Sequence, residues 1–163
     1  MTKPGAAAPF TGGRIELVVD SNEQRPYLFE KYPDVLVVRA KLGTADYSIV
    51  GLESRFAIER KSTEDAYSTF SRGRGRFCRE LERMDSMDFA AIVVEGDLRT
   101  LQYPPPSAEK VQPATVIKSL LAWTIDHNVR VFFASDRPGG ELVVHALARA
   151  YLDRASSRTM VTW

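Results

Sequence analysis

Residues 56–65 read FAIERKSTED, an apolar strand that runs without a break into Glu59, Arg60 and Lys61. Three charges in a row at the inner end of such a strand are costly unless each has a partner or a task. Extended chain alternates its faces, so Phe56, Ile58 and Arg60 point one way while Ala57, Glu59 and Lys61 point the other. A carboxylate and an ammonium two residues apart on one face suit either of two roles. They form an ordinary salt bridge at a sheet end, or a cation ligand beside a group that steadies negative charge. Two more acids stand at the ends of strand-like runs: Asp20 closes RIELVVD and Asp46 opens DYSIV. Carboxylates brought together repel one another unless a cation neutralises them. An Asp and a distant Glu-x-Lys form the minimal set for metal-assisted phosphodiester cleavage. Asp46 and Glu59, with Asp20, would hold the metal, and Lys61 would orient a water or stabilise charge on phosphorus. One cysteine and two histidines are too few for a closed four-ligand Cys/His zinc site and argue against zinc here. An oxygen-ligand site of this kind favours Mg²⁺ or Mn²⁺.

The elements that must position these residues are legible from periodicity. Residues 14–20, 35–40, 46–50, 55–60 and 89–96 are short apolar or β-branched runs and read as strands, the third and fourth joined by a turn around Gly51. RPYLFEKY reads as a short helix with Pro26 in its first turn. Ser62-Thr63-Glu64-Asp65 resembles a capping box, and the segment from Ser62 to about Met87 reads as helix broken near Gly73 and Gly75. YPPPS (103–107) is a loop. Residues 113–128 form an amphipathic helix with Ile117, Leu120, Leu121, Thr124 and Ile125 on one side. VRVFFAS is a late strand and 140–155 a last helix. The interleaving predicts an α/β fold around a mixed sheet, with acids gathered at strand ends on one edge, where such folds place ligands.

At 163 residues, 44% hydrophobic and 26% charged, the chain suits one domain with its own core. We expect a flexible leader over 1–13, the domain over 14–155 and a C-terminal tail over 156–163. No apolar run is long enough to span a membrane, and the start lacks the apolar region of a secretory signal. These features favour a cytoplasmic protein, or a nuclear one in a eukaryote, over a secreted one. Net charge is +1, but RGRGRFCRELER (72–83) concentrates Arg72, Arg74, Arg76, Arg79 and Arg83 against two glutamates. Such a stretch is either a phosphate-binding surface or a solvated helix face with Glu/Arg pairs.

The string ADYSIVGLESRFAIERKSTED resembles the active-site signature of the XPF/Hef family of structure-specific endonucleases, an Asp followed at a distance by Glu-Arg-Lys, three residues and another Asp. Those positions are Asp46, Glu59, Arg60, Lys61 and Asp65. VVDSNEQRP is similar to the family's opening strand, with Asp20 and Glu23 on its acidic positions, and GRFCREL, AAIVVEGD and VRVFFASD match later stretches. The resemblance implies a restriction-endonuclease-like mixed sheet flanked by helices and a Mg²⁺- or Mn²⁺-dependent nuclease acting on branched or otherwise non-duplex DNA. It also implies catalytic Asp46, Glu59, Lys61, Arg60 and Asp20, a possible outer contribution from Glu23 and Asp65, and DNA contacts by Arg72, Arg74, Arg76 and Arg79. Ala45 stands where the family usually has Gly, Asn22 where Arg is frequent, and Glu80 where Gln is common. No tandem helix-hairpin-helix module follows the domain, so substrate choice is expected to come from a homodimer or a protein partner. The expected seam holds Ile117, Leu121 and Trp123 with Leu142, Val143 and Leu147. The alternative is a catalytically silent DNA-binding or scaffolding partner of another nuclease.

Overall fold

The computed structural model describes residues 13–160, without side-chain detail for 158–160; the expected leader, apart from Gly13, and residues 161–163 lie outside the described part. Among the described residues six strands form one sheet: β1 (Ile15–Asp20), β2 (Val35–Ala40), β3 (Tyr47–Ile49), β4 (Phe56–Ser62), β5 (Phe89–Glu95) and β6 (Arg130–Phe133). Their order is β2-β1-β3-β4-β5-β6. β3 runs antiparallel to β1 and β4, while the β1–β2, β4–β5 and β5–β6 pairs are parallel. β5 is buried almost throughout, as its unbroken apolar sequence requires. This mixed sheet flanked by helices is the expected α/β fold.

Two apolar layers sandwich the sheet. α1 (Thr63–Ser71), α2 (Arg74–Met84) and α3 (Pro113–Asp126) cover one face through Tyr67, Phe77, Leu81, Leu120 and Trp123, which pack on Ala57, Ile92 and Val94. α4 (Arg137–Met160) covers the other with Val144 and Ala148 against Ile58, Ala91 and Val93. Ser62 caps α1 as expected: its Oγ accepts from the Asp65 amide at 3.0 Å. Gly73 is the break between α1 and α2, whereas Gly75 lies inside α2.

Three expectations need correction. Residues 25–32 contain no helix. The Tyr27 amide donates to Tyr47 Oη at 2.9 Å and the Phe29 amide to Glu141 Oε1 at 2.6 Å, so side chains take the amides that a helix would use. Tyr27 stacks on Tyr47, and Phe29 sits edge-on to both rings with a left-handed backbone (φ 55°). Burying those rings outweighs local helix propensity. The last helix begins at Arg137, earlier than expected, and continues through Met160. Asp136 starts it, its Oδ1 accepting from the Gly139 amide at 2.7 Å. Gly139 and Gly140 are there for closeness: a Cβ would meet Ala134 O at 1.9 Å or Tyr27 Oη at 2.0 Å. Trp123, expected in a dimer seam, belongs to the core, stacked on Phe70 and tilted against Phe77.

Candidate active site

The register of the β3–β4 hairpin builds the site. Tyr47 pairs with Ile58, which sets Asp46 opposite Glu59, and cross-strand partners share a face. The Asp46 amide donates to Ile58 O at 3.1 Å, and the Asp20 amide donates to Asp46 O at 2.8 Å. The parallel course of β1, β4 and β5 brings Asp20, Glu59 to Lys61, and Glu95 to the same sheet edge.

On the α1–α3 face, Asp46 and Glu59 are hydrogen-bonded through their carboxyls. Burial pushes Asp46 up to about 7, helped by the nearby charges of Glu23 and Glu80 and opposed by the Arg60 N–H, which donates to Asp46 Oδ2 at 2.8 Å. Burial also raises Glu59 well above the carboxylate range; Asp46 adds to this, and Lys61 counters it with Nζ 3.7 Å from Glu59 Oε1. Two like acids this close hold a proton between them until a cation replaces it. Lys61 is itself buried, its Nζ 3.9 Å from the centre of the Phe77 ring, so packing fixes the ammonium beside the pair.

The opposite face of the same strand is different. Arg60 turns toward α4, as strand alternation requires, and its Nε and Nη2 donate to the two oxygens of Glu95 at 2.7 and 2.9 Å. Tyr27 Oη donates to Glu95 Oε1 at 2.7 Å, and Arg137 reaches the same oxygen at 3.4 Å. Glu23 lies 3.8 Å from Arg60. The guanidinium is thus bound into a salt network, and Arg60 meets Asp46 through its backbone.

These groups open on a cleft of about 700 Å³ lined by Asp20, Glu23, Asp46, Glu59, Arg60, Lys61, Asp65 and Arg76, together with Glu80 and Arg83. Asp20 Oδ1 accepts from the Leu42 amide at 2.9 Å, with Lys41 3.4 Å away. Asp65 receives the Ser62 hydroxyl at 2.8 Å, and Glu23 the Arg25 amide at 2.7 Å. Arg76 reaches the cleft, but Arg72, Arg74 and Arg79, all exposed, do not line it. Sequence reasoning named Glu80 only as a departure and Arg83 only as part of the arginine-rich stretch, without placing either in the site. The signal was helical spacing, since Arg76, Glu80 and Arg83 lie four and three residues apart on one face of α2. Glu95, the hub of the Arg60 network, carried no signal beyond its place at a strand end.

Asp46 and Glu59 are the residues here that fit a divalent cation. Among the described residues no group of three or more His, Cys, Asp or Glu side chains is arranged to hold an ion. A half-buried pair of acids bordered by an open cleft nevertheless suits Mg²⁺, which takes one or two carboxylates and keeps much of its water.

The sheet order and the helices on both faces define a mixed α/β domain with its acids gathered at one sheet edge. Residues 19–140 match the ERCC4 domain, and the chain belongs to that family. The 3′-flap repair endonuclease Xpf of Saccharolobus solfataricus is 28% identical over 141 residues, covering 84% of this chain and 56% of that protein. The chain therefore spans just over half the length of this relative. XPF from Aeropyrum pernix shares the fold with a TM-score of 0.67 at 22% identity, over 89% of this chain and 69% of that one. The structure of that XPF in complex with DNA gives a TM-score of 0.63 at 22% identity, over 86% and 66%.

Proposed function

We propose that this chain is a divalent-cation-dependent endonuclease acting on branched or otherwise non-duplex DNA. The observation that carries the reading is the half-buried Asp46–Glu59 pair with Lys61 Nζ 3.7 Å from Glu59, at the wall of an arginine-bordered cleft. When bound, Mg²⁺ or Mn²⁺ would lower the pKa of a water and clamp the scissile phosphate. Asp46 and Glu59 would hold the cation, with Asp20 bordering the site. Lys61 would stabilise negative charge on the phosphorus-bound oxygens, in a direction set by its packing on Phe77. Arg76 and Arg83 would hold the DNA backbone, with Arg72, Arg74 and Arg79 as more distant contacts. Arg60 would act through its amide and its tie to Glu95, and Glu23 and Asp65 from the cleft wall. Membership of the ERCC4-domain family and the relative described as a 3′-flap repair endonuclease support the substrate class.

Labelled 3′-flap, fork, nicked, duplex and single-stranded DNAs, each with Mg²⁺, Mn²⁺ or EDTA, test the reading. It predicts cleavage of a branched DNA with either cation and none in EDTA. Binding without cleavage under every condition would instead support a catalytically silent partner.

For substrate choice we propose a homodimer. α3 exposes Leu121 and Ile125, which with Ile117, Ala114 and Ala122 line an apolar groove; Leu142 of α4 is exposed as well. A contiguous apolar surface of this kind suits a protein contact. Val143 and Leu147, expected in the seam, pack partly into the α4 side of the core. Light scattering at micromolar concentration should give twice the monomer mass, and Ile125→Asp should return the monomer mass. A monomer in both cases would refute the dimer.

A further inference from the structure

Ala45, just before Asp46, has φ 60°, the left-handed region that strains any residue with a Cβ. Its amide donates to Glu80 Oε1 at 2.8 Å, and Thr44 Oγ1 lies 3.4 Å from the same oxygen. Beyond Ala45, both backbone groups of Asp46 are committed to the sheet, at Ile58 O and at the Asp20 amide. The strained turn is thus held from one side by strands and from the other by a single carboxylate oxygen. Glu80 stands on the face of α2 that presents Arg76 and Arg83 to the cleft. Glu80 is half-buried and adds negative charge near Asp46 and Glu59. An acid in that place is unfavourable for the metal-free pair, so its presence there calls for a task. Accepting from a strained backbone amide is one, because such a bond is stronger when the acceptor is ionised.

We propose that Glu80 is a positioning residue, a latch that holds the Thr44–Ala45 turn left-handed so that Asp46 faces Glu59. The latch rests on the reading of that pair as a cation site. It joins the helix that carries the arginines to the turn that carries a cation ligand, so the placing of α2 and the aim of Asp46 are mechanically linked. Arg60 N–H, which reaches Asp46 from β4, is the opposing contact. The carboxyl of Asp46 is aimed by these two, one on each side.

The test compares the unmodified chain with Glu80→Ala, Glu80→Gln, Ala45→Gly and the double variant Ala45→Gly/Glu80→Ala. Two readouts are used: hydrogen exchange of the residue-45 amide in metal-free protein, and Mn²⁺ binding followed by titration. Loss of a hydrogen bond to a charged acceptor should speed exchange at Ala45 about tenfold or more in Glu80→Ala and weaken Mn²⁺ binding by about tenfold. Glu80→Gln retains an acceptor oxygen and should keep most of the protection. Ala45→Gly relieves the strain, so the double variant should regain most of the Mn²⁺ affinity lost in Glu80→Ala. Unchanged exchange at Ala45 in Glu80→Ala would overturn the latch, as would failure of Ala45→Gly to restore binding. Exchange that responds as expected while the unmodified chain binds no Mn²⁺ would support the latch and refute the cation site instead.

Discussion

β4 carries two charge clusters back to back, and they are built on opposite principles. Toward α4, Arg60 and Glu95 form a two-pronged pair whose oxygens also receive Tyr27 and Arg137, so the charges there are matched. Toward α1 and α2, Asp46 and Glu59 face each other with one ammonium nearby, and the acids outnumber it. Burial raises Asp46 and Glu59; at Glu95 the hydrogen bonds from Arg60 and Tyr27 outweigh burial and hold the carboxyl below its usual range. Adjacent residues of one strand thus have carboxyl partners shifted in opposite directions. A matched cluster is costly to break by removing one partner, and an unmatched one is kept where a ligand completes it.

The sharpest way to break the comparison is to damage each face and read both stability and chemistry. Arg60→Ala leaves Glu95 buried without its main partner and should cost about 3–5 kcal/mol of stability in denaturant unfolding. Glu59→Gln removes a repelling charge while keeping shape. It should leave the unfolding midpoint unchanged or raised, yet slow single-turnover cleavage by at least ~10²-fold, about 3 kcal/mol of barrier. If Glu59→Gln cleaves at the unmodified rate, or if Arg60→Ala leaves the midpoint unchanged, the division between the faces is wrong.

Acidity separates the faces by sign. A raised Asp46 binds its proton more tightly when folded, so that contribution to stability is complete below the unfolded value of about 4 and disappears as pH rises through about 7. The lowered Glu95 contributes above its unfolded value and loses that contribution as pH falls below about 4. In EDTA, the unfolding midpoint should therefore fall between pH 5 and 8, and Asp46→Asn should flatten that slope. A slope that Asp46→Asn leaves intact would assign it to other groups.

The smallest expected effects lie along α2. Arg76→Ala and Arg83→Ala should each weaken DNA binding a few-fold and lower the salt slope by about one unit. Arg72→Ala and Arg74→Ala, outside the cleft, should change it less. Equal effects at all four positions would mean that the DNA path does not follow the cleft.

Strand alternation was enough to separate Glu59 and Lys61 from Arg60, because a period of two is a property of extended chain alone. The hairpin carrying Asp46 and Glu59 was legible from two short apolar runs joined by a turn around Gly51. The register that sets them opposite each other came from the Tyr47–Ile58 pairing. What escaped depended on tertiary partners. The aromatic cluster of Tyr27, Phe29 and Tyr47 overrode a helical pattern, and Asp136 began α4 across two glycines that local propensity would place outside it. Glu80 and Glu95 act through contacts with residues 35 positions away. Local spacing puts Glu80 on a helix face and Glu95 at a strand end, but it does not say what either will meet.

The central claim is that the unmatched face of β4 is completed by a divalent cation. Mn²⁺ titration of the unmodified chain and of Asp46→Asn, Glu59→Gln and Arg60→Lys, by electron paramagnetic resonance without DNA, tests it most directly. The account predicts saturable Mn²⁺ binding that Mg²⁺ displaces, abolished in Asp46→Asn and Glu59→Gln and retained in Arg60→Lys. Equal Mn²⁺ binding by the unmodified chain and both carboxyl variants would contradict it.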